Sequence, residues 1–315
     1  MSNKRLKLVL GGGGSFGLCH IGAIQYIVEH SYDIDLIVGT SAGAIVAGLY
    51  SYYLNNDCKY ALSKLNELVN INFDDFKDSN YFKRIYSLLT NNIYNFGLYK
   101  GDKLYNFVLK QTNSSTFADV SMPLYITATE MTTGSAVIFS KDTSPYVKLA
   151  DAIRASSSIQ GIYTPFKIKC ELIENAVFPD NNILSRPMTL YELKNISKDG
   201  YIYLWDGGNC GNCRNDIALS VGDRNVPVFG HSLSYSNSYK DLTLLDLLSQ
   251  TISIMMSTNE RITDTLSSLR DTKDVICHPD TSGLDSMEFK LTKEEKMRLI
   301  HSGYVAAKYN LPSIM

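Results

Sequence analysis

The sequence predicts an α/β fold built on a central, mostly parallel sheet flanked by helices, and two observations carry that expectation. Short apolar, β-rich runs at residues 6–10 (LKLVL lies across it) and 34–38 are each followed by a glycine-bearing turn. Behind each turn, residues 16–29 and 42–53 carry helical patterning. Strand, turn, helix, strand, turn, helix is the opening of a parallel sheet with right-handed crossovers.

The remaining elements follow in order. Residues 58–70 and 101–111 place apolar side chains at three- and four-residue spacing and read as helices. Residues 122–129 (MPLYITAT) and 136–139 read as strands, with Gly134 marking a hairpin turn between them. Residues 147–155 are helical, residues 201–205 (YIYLW) form a strand ending at Asp206, and residues 226–233 form another strand. A long helical pattern spans 243–269 and a last helix spans 292–310. The stretch 168–200 is polar and irregular, an insertion ahead of the 201–205 strand. No repeat, low-complexity tract or Pro/Gly-rich linker divides the chain, so its 315 residues read as one domain.

Composition narrows the function. The chain is 44% hydrophobic with a formal net charge of −2, which gives no electrostatic footprint for nucleic acid. The apolar run before the first glycines is too short for a signal peptide, and no run approaches the roughly 20 residues of a bilayer span. An intracellular, cytoplasmic protein is expected, with membrane contact at most peripheral. Its six cysteines fit reduced, intracellular usage. Cys210-Gly-Asn-Cys213 is a C-x-x-C, but Cys277 and His278 are neighbours with poor spacing for completing a zinc site, so no metal is expected. No cofactor is expected either.

Two glycine motifs carry the chemistry. Gly11-Gly12-Gly13-Gly14-Ser15-Phe16-Gly17 follows the first strand. It matches G-x-G-x-x-G, yet a dinucleotide site wants an acid at the far end of the next strand, and Asp33 and Asp35 stand at the near end. A P-loop would need a lysine after Gly17. The third reading is an oxyanion hole, in which the amides of Gly12, Gly13 and Gly14 converge beside a helix N-terminus. Gly39-Thr40-Ser41-Ala42-Gly43 is a G-x-S-x-G between strand and helix, the setting of a nucleophilic serine on a sharp turn, with the Ala42 amide as a further oxyanion donor. Because turns after adjacent parallel strands share one sheet edge, the two motifs should meet.

The serine needs a base. Asp206, followed by Gly207 and Gly208, stands at a strand end, although an Asp-Gly-Gly is also a common turn. Of the five histidines, His20 and His30 belong to the first helix and His301 to the last, while His231 follows a strand and would complete a Ser41, Asp206, His231 order.

Taken together, these blocks resemble the patatin-like phospholipases: G-G-G-x-R-G over residues 12–17, G-x-S-x-G over 39–43 and Asp-Gly-Gly over 206–208. Residues 97–108 (GLYKGDKLYNFV), 123–139, 152–166 (AIRASSSIQGIYTPF) and 302–310 are similar to further family segments. The resemblance implies a three-layer architecture over residues 1–315, with a core over about 5–225 and a helical C-terminal part over about 240–315. It also implies a Ser41–Asp206 dyad without histidine, an acyl-enzyme, oxyanion donors at Gly12–Gly14, and a phospholipid or other acyl ester as substrate. The sequence carries no calcium loop of the D-x-[DN]-x-[DN]-G type, so hydrolysis is expected to survive chelators. Two departures stand out: Phe16 replaces the family arginine, and Gln160 stands where a proline often follows the ASSSI run. A triad-type esterase using His231 and a lapsed lipid-binding protein are the alternatives. The aromatic stretch 80–99 is either an interfacial surface or lid or a plain core helix.

Overall fold

The computed structural model describes residues 4–79, 93–173, 187–233 and 274–314, with isolated positions at 89, 254, 257, 258, 261, 262 and 265. Most of the 80–99 aromatic stretch and the 243–269 pattern therefore lie outside the described residues. The strands are β1 (Lys4–Leu10), β2 (Tyr32–Thr40), β3 (Leu124–Glu130), β4 (Ala136–Phe139), β5 (Phe166–Lys169), β6 (Tyr201–Asp206), β7 (Val228–His231) and β8 (Asp274–Cys277). The helices are α1 (Leu18–Glu29), α2 (Ala42–Tyr53), α3 (Cys58–Asn66), α4 (Asp102–Gln111), α5 (Leu149–Ser156), α6 (Leu190–Ile196), α7 (Asn215–Ser220) and α8 (Lys293–Asn310).

The eight strands among the described residues join one sheet in the order β5-β6-β3-β2-β1-β7-β8, with β4 paired to β3. Consecutive neighbours from β3 through β2, β1 and β7 to β8 are parallel, while β4 and β6 run antiparallel to β3. Two elements differ from expectation. Residues 166–169 form β5 across the start of the stretch read as irregular, because a four-residue strand with one buried side chain, Ile168, leaves little periodic signal. Residues 274–277 add β8 to a part expected to be helical.

Strand alternation sets the layers. Leu6, Leu8 and Leu10 of β1 face a large core shared with α1, α2, α5 and α8. Val9 faces a smaller core with Val38, Tyr125 and the Ile217 of α7. The sheet is thus covered on both faces, which is why its parallel strands read as unbroken apolar runs. Lys7 shares Val9's side of the strand and is buried. Its ammonium donates to the carbonyls of Ala218 at 2.8 Å and Val221 at 2.6 Å, satisfying the end of α7. On the larger face α1 and α8 press together where a Cβ on Gly22 or Gly303 would overlap the facing backbone.

The pairing of β3 positions the site. Opposite β4, its edge is occupied first by β2, up to Thr40 beside Thr127, and then by β6, beginning with Asp206 beside Ala128. Because β2 and β6 run in opposite senses along that edge, their C-terminal ends meet head-on. Ser41 follows one end and Asp206 is the other.

Candidate active site

Ser41 stands between β2 and α2 with φ 53° and ψ −118°, a sparsely populated conformation for a side-chain-bearing residue. Two glycines permit it. A Cβ on Gly39 would lie 2.8 Å from the Ala44 Cα, and one on Gly43 would overlap the Leu10 carbonyl oxygen. The sharp turn lifts the hydroxyl to the end of the sheet, where Ser41 Oγ donates to Asp206 Oδ2 at 2.5 Å.

Asp206 is 1% exposed, and its carboxylate is held by few donors. The Gly208 amide donates to Oδ1 at 2.8 Å, while Thr129 Oγ1 and Asn209 Nδ2 each donate to its main-chain carbonyl at 2.8 Å. Burial pushes its pKa up to about 7, against the opposing pull of the Ser41 and Gly208 hydrogen bonds. Gly207 is required for packing: a Cβ there would overlap the Thr127 carbonyl oxygen.

The glycine turn lies at the same edge, since Leu10 pairs with Gly39 on one side and His231 on the other. Its rear is tied down. The Gly11 amide donates to the His231 carbonyl at 3.0 Å. The Gly12 amide donates to Asn212 Oδ1 at 2.8 Å, and Asn212 Nδ2 returns a bond to the Gly12 carbonyl at 3.3 Å. Gly12 is therefore already spent as a donor, unlike Gly13, Gly14 and Ala42, whose amides meet no acceptor among the described residues. Gly14 has φ 55°, and a Cβ on Gly17 would touch that of Ala42 at 3.0 Å, so the turn sits directly against the start of α2. No sequence motif marks Asn212 for this role. It lies inside the C-x-x-C stretch, whose cysteines are not joined in a disulfide, and no metal-binding cluster occurs among the described residues.

Gly14, Ser41, Ala42 and Ser157 line one side of a cavity with about 100 Å³ open to the centre of a water molecule, against the roughly 10–15 Å³ that one water needs. Apart from Ser15 and Tyr163 the rest of its lining is apolar, including Leu18, Ile45, Phe73, Phe76 and Phe107, and no charged side chain among the described residues contributes. Phe16 is fully buried in the core and does not line the cavity.

His231 is engaged elsewhere. Its Nδ1 lies 2.8 Å from His20 Nδ1, and His20 Nε2 lies 2.8 Å from the Gly11 carbonyl. A carbonyl only accepts, so His20 donates from Nε2, and as a neutral ring it then receives from His231 at Nδ1. Burial agrees with this, holding His20 down to about 4 and His231 well below the usual imidazole range. We expect His231→Ala to cost on the order of 2–4 kcal/mol of stability through the cavity and the orphaned His20 nitrogen. A serine-directed probe should still label Ser41 in the folded fraction, and urea titration with intact mass checks both.

Fold and site together define an α/β protein with a serine–carboxylate pair on a sharp strand-to-helix turn, facing an apolar cavity. The patatin-like phospholipase profile matches residues 8–219, and the chain belongs to that family. An uncharacterized NTE family protein of Mycobacterium tuberculosis is 29% identical over 198 residues, covering 63% of this chain and 48% of that protein. Lysophospholipase NTE1 of Candida albicans is 44% identical over 64 residues, 20% of this chain and 5% of the fungal protein. The chain spans about half the length of the mycobacterial relative and a small part of the fungal one. Among solved structures, VipD from Legionella pneumophila superposes with a TM-score of 0.54 at 16% identity, covering 98% of this chain and 67% of VipD, a likeness of fold.

Proposed function

We propose that this chain is a lipid acyl hydrolase of the phospholipase A or lysophospholipase type, using Ser41 as nucleophile and Asp206 as base. The observation that carries the reading is the Ser41 hydroxyl donating to a buried Asp206 carboxylate at 2.5 Å beside an apolar cavity. Ser41 Oγ attacks the ester carbonyl and its proton passes to Asp206. The Gly13, Gly14 and Ala42 amides hold the tetrahedral oxyanion. Collapse expels the alcohol, which takes the proton from Asp206 and leaves an acyl-Ser41. Asp206 then accepts a proton from water, whose oxygen attacks the acyl carbon, and the second collapse releases the fatty acid as the proton returns to Ser41 Oγ. The cavity suits an aliphatic chain, and the polar head of the lipid stays outside it at a peripheral membrane contact. The name of the Candida relative, a lysophospholipase, supports a lipid substrate.

Asp206 must be ionised to act, and its carboxyl is pushed up to about 7. Protonation below that value removes the base. Thus kcat/KM should rise about tenfold per pH unit below roughly pH 6 and level off above roughly pH 8. A pH series with a short soluble ester checks this, and a midpoint near 4 would contradict a buried base.

The direct test is fluorophosphonate labelling of wild-type and Ser41→Ala protein, followed by a lipid panel. A single adduct on Ser41 with turnover of acyl lipids supports the proposal. Lipid binding without adduct or turnover would instead favour the lapsed lipid-binding reading suggested by Phe16 and Gln160.

A further inference from the structure

The run Ser156-Ser157-Ser158 sits at the end of α5 and touches both members of the pair. Ser156 Oγ accepts the Ser41 amide at 2.8 Å. Ser157 Oγ donates to the Ser41 carbonyl at 3.3 Å. The Ser158 carbonyl accepts the Asp206 amide at 3.0 Å. Three consecutive residues therefore hold the backbones of two residues that lie 165 positions apart in sequence.

We propose that Ser156 is a positioning residue: its hydroxyl locks the strained Ser41 backbone so that Oγ stays on the Asp206 carboxylate. The inference rests on Ser41 and Asp206 being nucleophile and base. Ser41 lies one residue past Thr40, the last residue of β2 paired to β3, so the sheet offers its amide no partner. The helix offers none either, since Ser41 caps α2 with its carbonyl, which receives the Ala44 and Ile45 amides. A buried amide in that position needs a side-chain acceptor, and Ser156, itself fully buried, supplies it.

The helix end that carries the acceptor is tied down. Arg154, on the same helix, donates to Ser158 Oγ at 2.5 Å, to the Gly101 carbonyl at 3.1 Å and to the Thr164 carbonyl at 3.0 Å. Asp206 is fixed from its other side by Gly208. With base and bracket both held, and the Ser41 carbonyl held by Ser157 and the first turn of α2, the Ser41 amide is the part of that backbone that rests on the Ser156 hydroxyl. Without the Ser156 hydroxyl that backbone relaxes towards negative φ, and Oγ swings away from Oδ2. Ser157, and not Ser156, lines the cavity, so substrate binding is left alone.

The test compares wild type, Ser156→Ala, Ser156→Thr and Ser41→Ala for kcat and KM on a short soluble ester across pH. Fluorophosphonate inactivation rates and urea midpoints are measured on the same samples. A displacement of about 1 Å costs roughly 100-fold in rate, so Ser156→Ala should lower kcat and the inactivation rate 10- to 100-fold with KM within about twofold. Its acid limb should move to higher pH, because Asp206 loses the hydroxyl that favours its ionised form. Ser156→Thr, which keeps the acceptor, should recover most of the rate. A loss of rate that only tracks lost folded protein, with the limb unmoved, would overturn the proposal, as would equal labelling rates in wild type and Ser156→Ala. No Ser41 adduct in folded wild type would overturn the dyad reading and this proposal with it.

Discussion

Asp206→Asn should lower kcat by on the order of 10³- to 10⁴-fold, and Ser41→Ala by more, while both proteins stay folded. The asparagine keeps the size of the side chain and can still accept from the Gly208 amide, but it cannot take the Ser41 proton. The substitution has a second, opposite effect on stability. Asp206 has a folded pKa of about 7 against 3.8 for an ordinary aspartate, so the folded protein binds more protons than the unfolded chain between those values. The stability this group contributes is fully present below about pH 4 and is lost as pH rises through about 7. At about 1.36 kcal/mol per unit, the loss approaches an upper bound on the order of 4 kcal/mol. Asp206→Asn removes that pH dependence. Urea midpoints at pH 5 and pH 8 should therefore fall in wild type and stay flat in the variant, leaving the inactive protein the more stable one at pH 8. Equal slopes in the two proteins would show that Asp206 ionises freely in the fold.

Gly43→Ala should have a large effect on folding. Gly43 sits in the first turn of α2 with φ in the ordinary helical range, so backbone freedom is not what it supplies. It supplies space: a Cβ would overlap the Leu10 carbonyl oxygen and lie 2.7 Å from that of Gly11. Both obstacles are main-chain atoms of β1 and of the glycine turn, and neither can swing aside as a side chain would. Either α2 lifts from the sheet or the turn shifts. Overpacking of this kind costs about 1–3 kcal/mol and more when backbone must move, so a loss on the order of 3 kcal/mol or greater is expected. The folded remainder should also react poorly, because α2 carries Ala42 and the turn carries Gly13 and Gly14. Gly134→Ala is a fair comparison, since nothing lies within 4 Å of its Cβ position and only its φ of 71° opposes the change. It should cost about 1 kcal/mol and leave labelling of Ser41 unchanged.

Much of the site was legible because its local requirements are severe. A serine with positive φ between a buried strand and a buried helix needs small residues on both sides, and Gly39 and Gly43 declare that need. Gly207 and Gly208 likewise let the chain turn immediately after a strand, against Thr127. The supporting residues gave no such sign. Asn212 and Ser156 carry ordinary side chains whose roles depend on what folding places opposite them. Asn212 was hidden within a pair of cysteines that drew attention to metal chemistry. Gly12 looked equivalent to Gly13 and Gly14, and only the Asn212 amide separates them. β5 and β8 went unread because a four-residue strand at the flank of a sheet has too few alternating positions to show a period.

By itself the sequence determined the parallel α/β core, the sharp turn at Ser41 and the glycine turn beside it, and left Asp206 and His231 as candidate companions. Each of these is a local demand on backbone and burial, written in residues a few positions apart. Tertiary structure alone decided between Asp206 and His231 as the group facing the hydroxyl. It did so through two long-range pairings: β2 and β6 share one edge of β3 and meet end to end, bringing Ser41 onto Asp206, while β7 joins β1 on its far side and turns His231 towards His20. Strand order depends on cooperative packing across the whole sheet, and no short stretch of the chain records it.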